Sequence, residues 1–443
     1  MRAMVSATMR FGTGLTLQRW PLIALACLLA LIFCQFLLKM NHTEHGQRSA
    51  FLRWRAQLEE LDAGVNVWEK YAYPNPPIMA LILKPFHQLP PLLGASLWFV
   101  CKALLALAAI VGVLTLLDSP ARPFPLWGKI LAIGMSLRPI EGDLVHGNVN
   151  LFILFLVMAM LIAFSRRCDG WAGLFLSLSM ACKVTPALFL FYFLWKRAWT
   201  TLFGAAAGLV LFVIVVPAIA FGWTENLDYL RSWHGQMIAP YAAGVVSSEH
   251  KNQSLPGLLH RLLTDEPSFS DYDGDRKIVV ETHNVVSWSR DTVQSINVGC
   301  MVLFAFVAMR FCRASIERRP SLELLAECSV VVLGMLLFSE RTWKHHCVTL
   351  LLPFAVLSYC VASPTFSRGV RWYSGITLGL AGLLMASTST GVFDHYLDAA
   401  DRFGKLAQVY GVYVAAFLLL LASMFVILVK CREVNADTPR PSA

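Results

Sequence analysis

The chain has 443 residues, of which 57% are hydrophobic and only 15% are charged. A soluble domain carries roughly a quarter of its residues as Asp, Glu, Lys or Arg, so the composition excludes an ordinary water-soluble enzyme, a disordered chain and a coiled coil. The formal net charge of +9 resides in short basic clusters between apolar stretches and forms no stripe, which argues against a nucleic-acid partner.

A helix needs about 20 apolar residues to cross a bilayer. Spans are predicted over 21–40, 92–117, 127–139, 148–165, 171–182, 184–195, 200–222, 292–312, 322–338, 347–362, 373–390 and 408–429, about twelve in all. The chain therefore reads as an all-α polytopic membrane protein. A single transmembrane domain covers 21–429, with a cytoplasmic N-terminal segment over 1–20 and a cytoplasmic tail over 430–443. The third, fifth and sixth stretches are short, and a broken or re-entrant backbone is tolerated only where protein or a water-filled cavity covers it.

Arg2, Arg10 and Arg19 precede the first apolar run, and no small-residue cleavage site follows it, so the first helix reads as retained. Basic residues then recur on alternate loops: Arg122 and Lys129; Arg166 and Arg167; Lys196 and Arg197; Arg310 to Arg319; Arg368 and Arg371; Lys430 and Arg432. The positive-inside rule places both termini in the cytoplasm. Eleven cysteines are scattered without a CxxC or a Cys/His ligand spacing, which supports neither a zinc site nor a disulfide framework.

This orientation gathers the unusual chemistry on the outer side. The loop 41–91 contains a stretch from Ser49 to Asp62 with Phe51, Trp54, Leu58 and Leu61 at helical spacing, an amphipathic helix at the interface that Gly64 ends. An aromatic segment stiffened by prolines follows, from Val67 to Pro77, and forms one wall of a cleft; it holds Glu69 and Lys70, for which an ion pair is the plainest reading. Arg138, Glu141, Asp143, His146, Asn148 and Asn150 crowd a turn between two short helices. Lys183 lies between two apolar runs, where an unpaired ammonium is costly, so it needs a carboxylate or phosphate partner. The loop 223–291 holds Asn252 and Gln253, and its part from Thr264 to Asp275 reads as a surface excursion. Asn41-His-Thr43 and Asn252-Gln-Ser254 fit the N-glycosylation pattern. The stretch Glu340 to His346 combines Arg341, Lys344, one acid and the adjacent His345 and His346. Adjacent histidines point to different faces, so a phosphate contact is more economical than a metal.

These motifs in this order resemble glycosyltransferase family 87, the polyprenyl-phosphate-mannose-dependent mannosyltransferases with the GT-C architecture. The resemblance rests on Tyr73-Pro-Asn-Pro-Pro77, His146-Gly-Asn-Val-Asn150, Lys183-Val-Thr-Pro186 followed by Lys196 and Arg197, Asn252-Gln-Ser254, and the pair His345 and His346, over roughly residues 45–360. It implies a GT-C-like helix bundle and an inverting transfer. Polyprenyl-phosphate-mannose is the implied donor, so no cofactor or metal is expected; the partners are membrane lipid, that donor, and a glycolipid or glycan acceptor. In one respect the chain departs from the family: an Asp usually precedes the Phe at the start of the first outer helix and is thought to act as the base, whereas Ala50 precedes Phe51 here. The acids that would substitute are Glu69, Asp143, Glu141, Glu60 and Glu44, with Glu69 and Asp143 favoured.

On this reading Lys183, with Arg341, Lys344 or Arg138, binds the donor phosphate and stabilises the charge it gains on leaving. A carboxylate accepts the acceptor's hydroxyl proton. Asn148, Asn150, Asn252, Gln253, His146, His345 and His346 orient sugar or acceptor. The expected location is the plasma membrane, with the site on the extracytoplasmic face. The rival readings are a multi-pass transporter or flippase, which would place ionisable groups deep in the membrane, and a catalytically silent relative. The apolar helix interiors, read as nearly free of charge apart from Glu323 and Glu327, disfavour the transporter.

Overall fold

The structure, a computed structural model, describes residues 19–41, 49–120, 122–273, 276–389 and 398–436. Arg2, Arg10, Glu44, Thr43 of the first glycosylation pattern, and the tail beyond 436 lie outside the described residues.

The elements follow the apolar runs. In chain order they are α1 (Arg19–Asn41), α2 (Ala50–Asp62), α3 (Val67–Tyr71), α4 (Pro77–His87), α5 (Pro91–Leu117), α6 (Leu126–His146), α7 (Asn150–Ser165), α8 (Asp169–Cys182) and α9 (Leu188–Trp195). Next come α10 (Trp199–Phe221), α11 (Trp223–Trp233), α12 (Leu255–Leu263), α13 (Arg290–Phe311), α14 (Leu322–Leu337), α15 (Lys344–Ala362), α16 (Arg368–Ala386), α17 (Asp398–Val409) and α18 (Val412–Ala436). Proline or a hydroxyl starts several of them. Pro91 occupies the first turn of α5, where its missing N–H costs nothing, and the Ser289 and Ser321 hydroxyls accept from the third residue of α13 and α14.

Each predicted apolar stretch is helical, and α5, α10, α13, α15 and α18 are long and apolar enough to cross a membrane. Helices α14 and α15 form the centre and are buried almost throughout. By contrast α10 and α13 turn Phe203, Ile219, Val302 and Phe306 outward, an apolar surface matched to lipid and not to water. Helices α8 and α10 pack closely because a Cβ on Gly173 would lie 2.3 Å from the Thr201 carbonyl oxygen and one on Gly204 2.6 Å from that of Gly170. Small residues at such a crossing let two backbones approach.

The loops read as inner meet one another. Arg319 pairs with Asp169 at 2.6 Å, the Arg167 guanidinium donates to the Glu317 carbonyl at 2.7 Å, and that of Arg122 to the Pro320 carbonyl at 3.2 Å. Deeper on this side Lys196 and Glu327 form a buried pair at 2.6 Å, joined by the Tyr192 hydroxyl at 2.9 Å.

The structure departs from the sequence reading in three places. The chain read as all-α contains, from within the stretch read as a surface excursion, an antiparallel hairpin, β1 (Phe269–Asp273) with β2 (Arg276–Glu281), Ser270 opposite Val279; the β-branched run Ile278-Val-Val280 suits a strand. The apolar stripe of α2, expected at the membrane interface, is buried at Phe51, Trp54, Leu58 and Leu61, because α3, α4 and α5 cover it. The third span does not stop at 139. Helix α6 continues through Pro139 to His146, so Glu141, Asp143 and His146 stand on a helix and not in a turn.

Candidate active site

The end of α6 is built by a residue from another helix. Lys102, midway along α5 and fully buried, donates to the carbonyls of Asp143 at 2.6 Å and Leu144 at 3.4 Å. It thereby joins the Gly147 N–H, which donates to the same two carbonyls at 3.1 and 3.4 Å, at the helix end where a cation is favoured. Gly147 then turns the chain at φ 73°. A Cβ there would meet the Phe51 Cβ at 3.1 Å and the Ser49 hydroxyl at 3.2 Å, so conformation and space both call for glycine.

A polar chain runs outward from this point. The Asp143 carboxylate lies 3.5 Å from the Lys102 ammonium and accepts from the Asn150 amide at 2.8 Å and the Leu151 N–H at 3.3 Å. The Asn150 side-chain oxygen in turn accepts from the Lys183 ammonium at 2.5 Å. Lys183 stands in the break between α8 and α9, where the backbone turns to extended geometry. Burial pushes its ammonium down to about 8.

Lys183 opens into a cleft of about 520 Å³. The aromatic segment forms one wall through Tyr71, Ala72, Pro74 and Asn75, as expected, and α2 adds Arg53, Trp54 and Gln57. The opposite wall carries Ser339, Glu340, Arg341, Trp343 and His346, with Asn148 and Thr185 between. Beside it a void of about 20 Å³, room for about one water molecule, is lined by Asn150, Lys183, Thr342 and His346.

The remaining cationic residues face elsewhere. Arg138, Glu141, His146, Lys344 and His345 line a second cavity of about 250 Å³. Arg138 pairs with Glu141 at 2.6 Å, and the Lys344 ammonium donates to the Thr388 carbonyl at 2.5 Å. Asn148 and His345, 3.1 Å apart, link the two cavities.

The structure therefore sorts the sequence candidates. It brings Lys183, Arg341, Asn148 and His346 together in the cleft and sets Arg138, Lys344, His146 and His345 around the second cavity. Asn150 is buried behind Lys183. Neither favoured acid reaches the cleft: Asp143 is fully buried beneath it, and Glu69 is exposed on α3 away from its lining. Glu60 is held by Lys70 at 2.6 Å and the Tyr71 hydroxyl at 2.5 Å, so Lys70 pairs with Glu60 and not with Glu69. Ala50 is fully buried at the start of α2.

Asn252 and Gln253 are not ligand-facing. The Asn252 amide donates to the carbonyls of Ser247 at 2.9 Å and Glu340 at 2.8 Å, and its oxygen accepts from Thr342 at 2.9 Å and Ser254 at 3.1 Å. Gln253, also buried, donates from its side chain to the carbonyls of His250 and Gln408. With these bonds made, Asn252 has no amide capacity left for a sugar, and its burial is incompatible with glycosylation at Asn252-Gln-Ser254. Lys102 is the residue that sequence reasoning missed; a lysine within an apolar span is itself the signal, since it demands a partner.

A polar, cation-lined cleft at one end of a bundle of apolar helices defines a membrane protein that handles an anionic substrate. The chain belongs to Glycosyltransferase family 87, whose family model matches residues 73–339. It is similar to a polyprenol-phosphate-mannose-dependent α-(1-2)-phosphatidylinositol mannoside mannosyltransferase of Mycolicibacterium smegmatis, at 26% identity over 75% of this chain and 71% of the relative. A pentamannoside mannosyltransferase of the same organism, with the same donor and linkage in its name, is 25% identical over 71% of this chain and 68% of the relative. An α-(1→3)-arabinofuranosyltransferase of Corynebacterium glutamicum is 25% identical over 44% and 46%. No solved structure matches the chain. Family membership makes the protein a membrane glycosyltransferase and sets aside the transporter reading.

Proposed function

We propose that this protein transfers mannose from polyprenyl-phosphate-mannose to a hydroxyl of a glycolipid or glycan, at the outer face of the plasma membrane and with inversion at the anomeric carbon. The carrying observation is the cleft in which Lys183 and Arg341 share a lining with sugar-sized polar groups and aromatic walls. Two relatives named for this donor add support. In this reading the Lys183 ammonium and the Arg341 guanidinium hold the donor phosphate, and Asn148 and His346 orient the sugar. The acceptor oxygen bonds to the anomeric carbon as the bond from that carbon to the phosphate oxygen breaks. Polyprenyl phosphate leaves with the electron pair, and the two cations stabilise the charge that develops on it.

The sidedness rests on loop charge. The basic loops 122–129, 166–167, 196–197 and 310–319 meet at one end, and the cleft gathers the loops read as outer. With about twelve spans, both termini are cytoplasmic. Binding of polyprenyl-phosphate-mannose to the purified protein in lipid tests the site. A charged hydrogen bond is worth roughly 1.5–3 kcal/mol, so Lys183→Ala weakens binding by roughly 10- to 150-fold. Unchanged affinity in that variant would remove Lys183 from the phosphate site.

A further inference from the structure

The cleft contains several cations but, among the described residues, one carboxylate. Arg53, Lys183 and Arg341 line it; of the acids only Glu340 does. From the arrangement of this wall we propose that Glu340 is the group that takes the proton from the acceptor hydroxyl, in place of the acid absent at Ala50. The proposal rests on the transferase reading above and names its base.

The placement of Glu340 is fixed from several directions. The peptide segment that carries it is clamped residue by residue: the Tyr241 hydroxyl donates to the Phe338 carbonyl at 2.8 Å, the Ser339 hydroxyl to the Arg341 carbonyl at 2.9 Å, and the Gln253 N–H to the Thr342 carbonyl at 2.7 Å. Asn252 binds this segment twice, donating to the Glu340 carbonyl and accepting from the Thr342 N–H. No element of that clamp uses the Glu340 carboxylate. The carboxylate itself has the Arg341 Nε at 3.3 Å and is 32% exposed, so it is both oriented and open to the cleft. A rigid backbone with an accessible head suits a group that must be held in place to take a proton.

Its environment suits the role. Burial raises the Glu340 carboxyl above the usual carboxylate range, against the lowering influence of Arg341, and a base poised nearer the working pH accepts a proton more effectively. Among the described residues the other candidate acids lie outside the lining, Glu69 included. Asp143 is buried against Lys102, Asn150 and Leu151, and Glu60 is bonded to Lys70 and Tyr71 outside the lining. His346 is the rival acceptor in the cleft; its Nδ1 sits 3.1 Å from the Arg341 carbonyl and its ring stacks on Trp343.

The step balances. The hydroxyl oxygen forms its bond to the anomeric carbon, its proton passes to the Glu340 carboxylate, and the phosphate departs with the electrons of the broken bond. The proton then returns to solvent through the open side of the cleft.

The test compares wild type, Glu340→Gln, Glu340→Asp and His346→Asn in lipid nanodiscs, supplied with polyprenyl-phosphate-mannose and membrane extract as acceptor, with and without sodium azide. Glu340→Gln is expected to lower kcat by about 10²- to 10⁴-fold with donor affinity unchanged, which excludes misfolding, and Glu340→Asp to retain part of the activity. Azide attacks without giving up a proton, so Glu340→Gln with azide is expected to cleave the donor to mannosyl azide. Wild-type rates in Glu340→Gln, a change in donor affinity alone, or azide rescue confined to His346→Asn would overturn the assignment while leaving the transferase intact. A folded wild type that turns over no lipid-linked sugar would overturn the transferase reading and this assignment with it.

Discussion

Replacing Asp143 separates a structural acid from a catalytic one. Asp143 and Lys102 are both fully inaccessible, with the ammonium 3.5 Å from the carboxylate. Removing one partner of a buried pair costs about 3–5 kcal/mol, because the other charge stays buried. The two removals are unequal here. In Asp143→Asn, Lys102 keeps the carbonyls of Asp143 and Leu144, so the loss falls near the lower bound, about 3 kcal/mol. Lys102→Ala leaves the Asp143 and Leu144 carbonyls with the Gly147 N–H alone and leaves a buried carboxylate, so it falls near the upper bound, about 5 kcal/mol. Lys102→Met combined with Asp143→Asn removes both charges and is less destabilised than the sum of the singles, with a coupling of about 0.5–3 kcal/mol. Thermal unfolding of the detergent-solubilised protein, followed by tryptophan fluorescence, orders the variants. An Asp143→Asn protein as stable as wild type but devoid of transfer would refute this account and return Asp143 to catalysis.

Three further outcomes follow from the same geometry. Asn252→Ala unclamps the Glu340 segment, leaving buried N–H and C=O groups unpaired at about 1–3 kcal/mol for each that stays unsatisfied; a lowered apparent Tm together with a lowered kcat is expected, and an unchanged kcat would detach the clamp from the site. The rate has two limbs in pH. It rises as Glu340 ionises, above the usual carboxylate range, and falls as Lys183 loses its proton near 8, because each group acts in its charged form; a profile flat from pH 5 to about 9 would contradict both roles. Glu69→Gln, on the exposed side of α3, leaves kcat unchanged and stability within about 0.5 kcal/mol; loss of transfer at normal stability would restore Glu69 as the base.

What was legible in the chain was what rests on local composition. Apolar runs predicted the helices and the Pro-rich segment predicted a wall; the isolated Lys183 does have a partner, but it is the Asn150 amide oxygen and not the carboxylate or phosphate expected. The short spans at 171–182 and 184–195 likewise proved to be two short helices, α8 and α9, with Lys183 at their break. What failed depended on partners distant in sequence. The third span was predicted to stop at 139, but α6 runs on to His146, and Lys102 from α5 meets the carbonyls of its last turn. Asn252 looked like a sugar ligand until its amide was found closed on Ser247, Glu340 and Thr342. Asp143 sat among polar neighbours in the sequence, yet the face of α6 it occupies turns inward. Polar residue type alone does not distinguish a side chain that binds substrate from one that holds the wall behind it.

The central claim is that a lipid-linked sugar phosphate is the donor for this cleft. The most direct measurement supplies the purified protein, in lipid with membrane extract as acceptor, with radiolabelled mannose on either polyprenyl phosphate or a nucleoside diphosphate. The account predicts transfer from the polyprenyl-phosphate donor alone, abolished by Lys183→Ala. Transfer from the sugar nucleotide, or none from the lipid-linked donor by a folded protein, would contradict it.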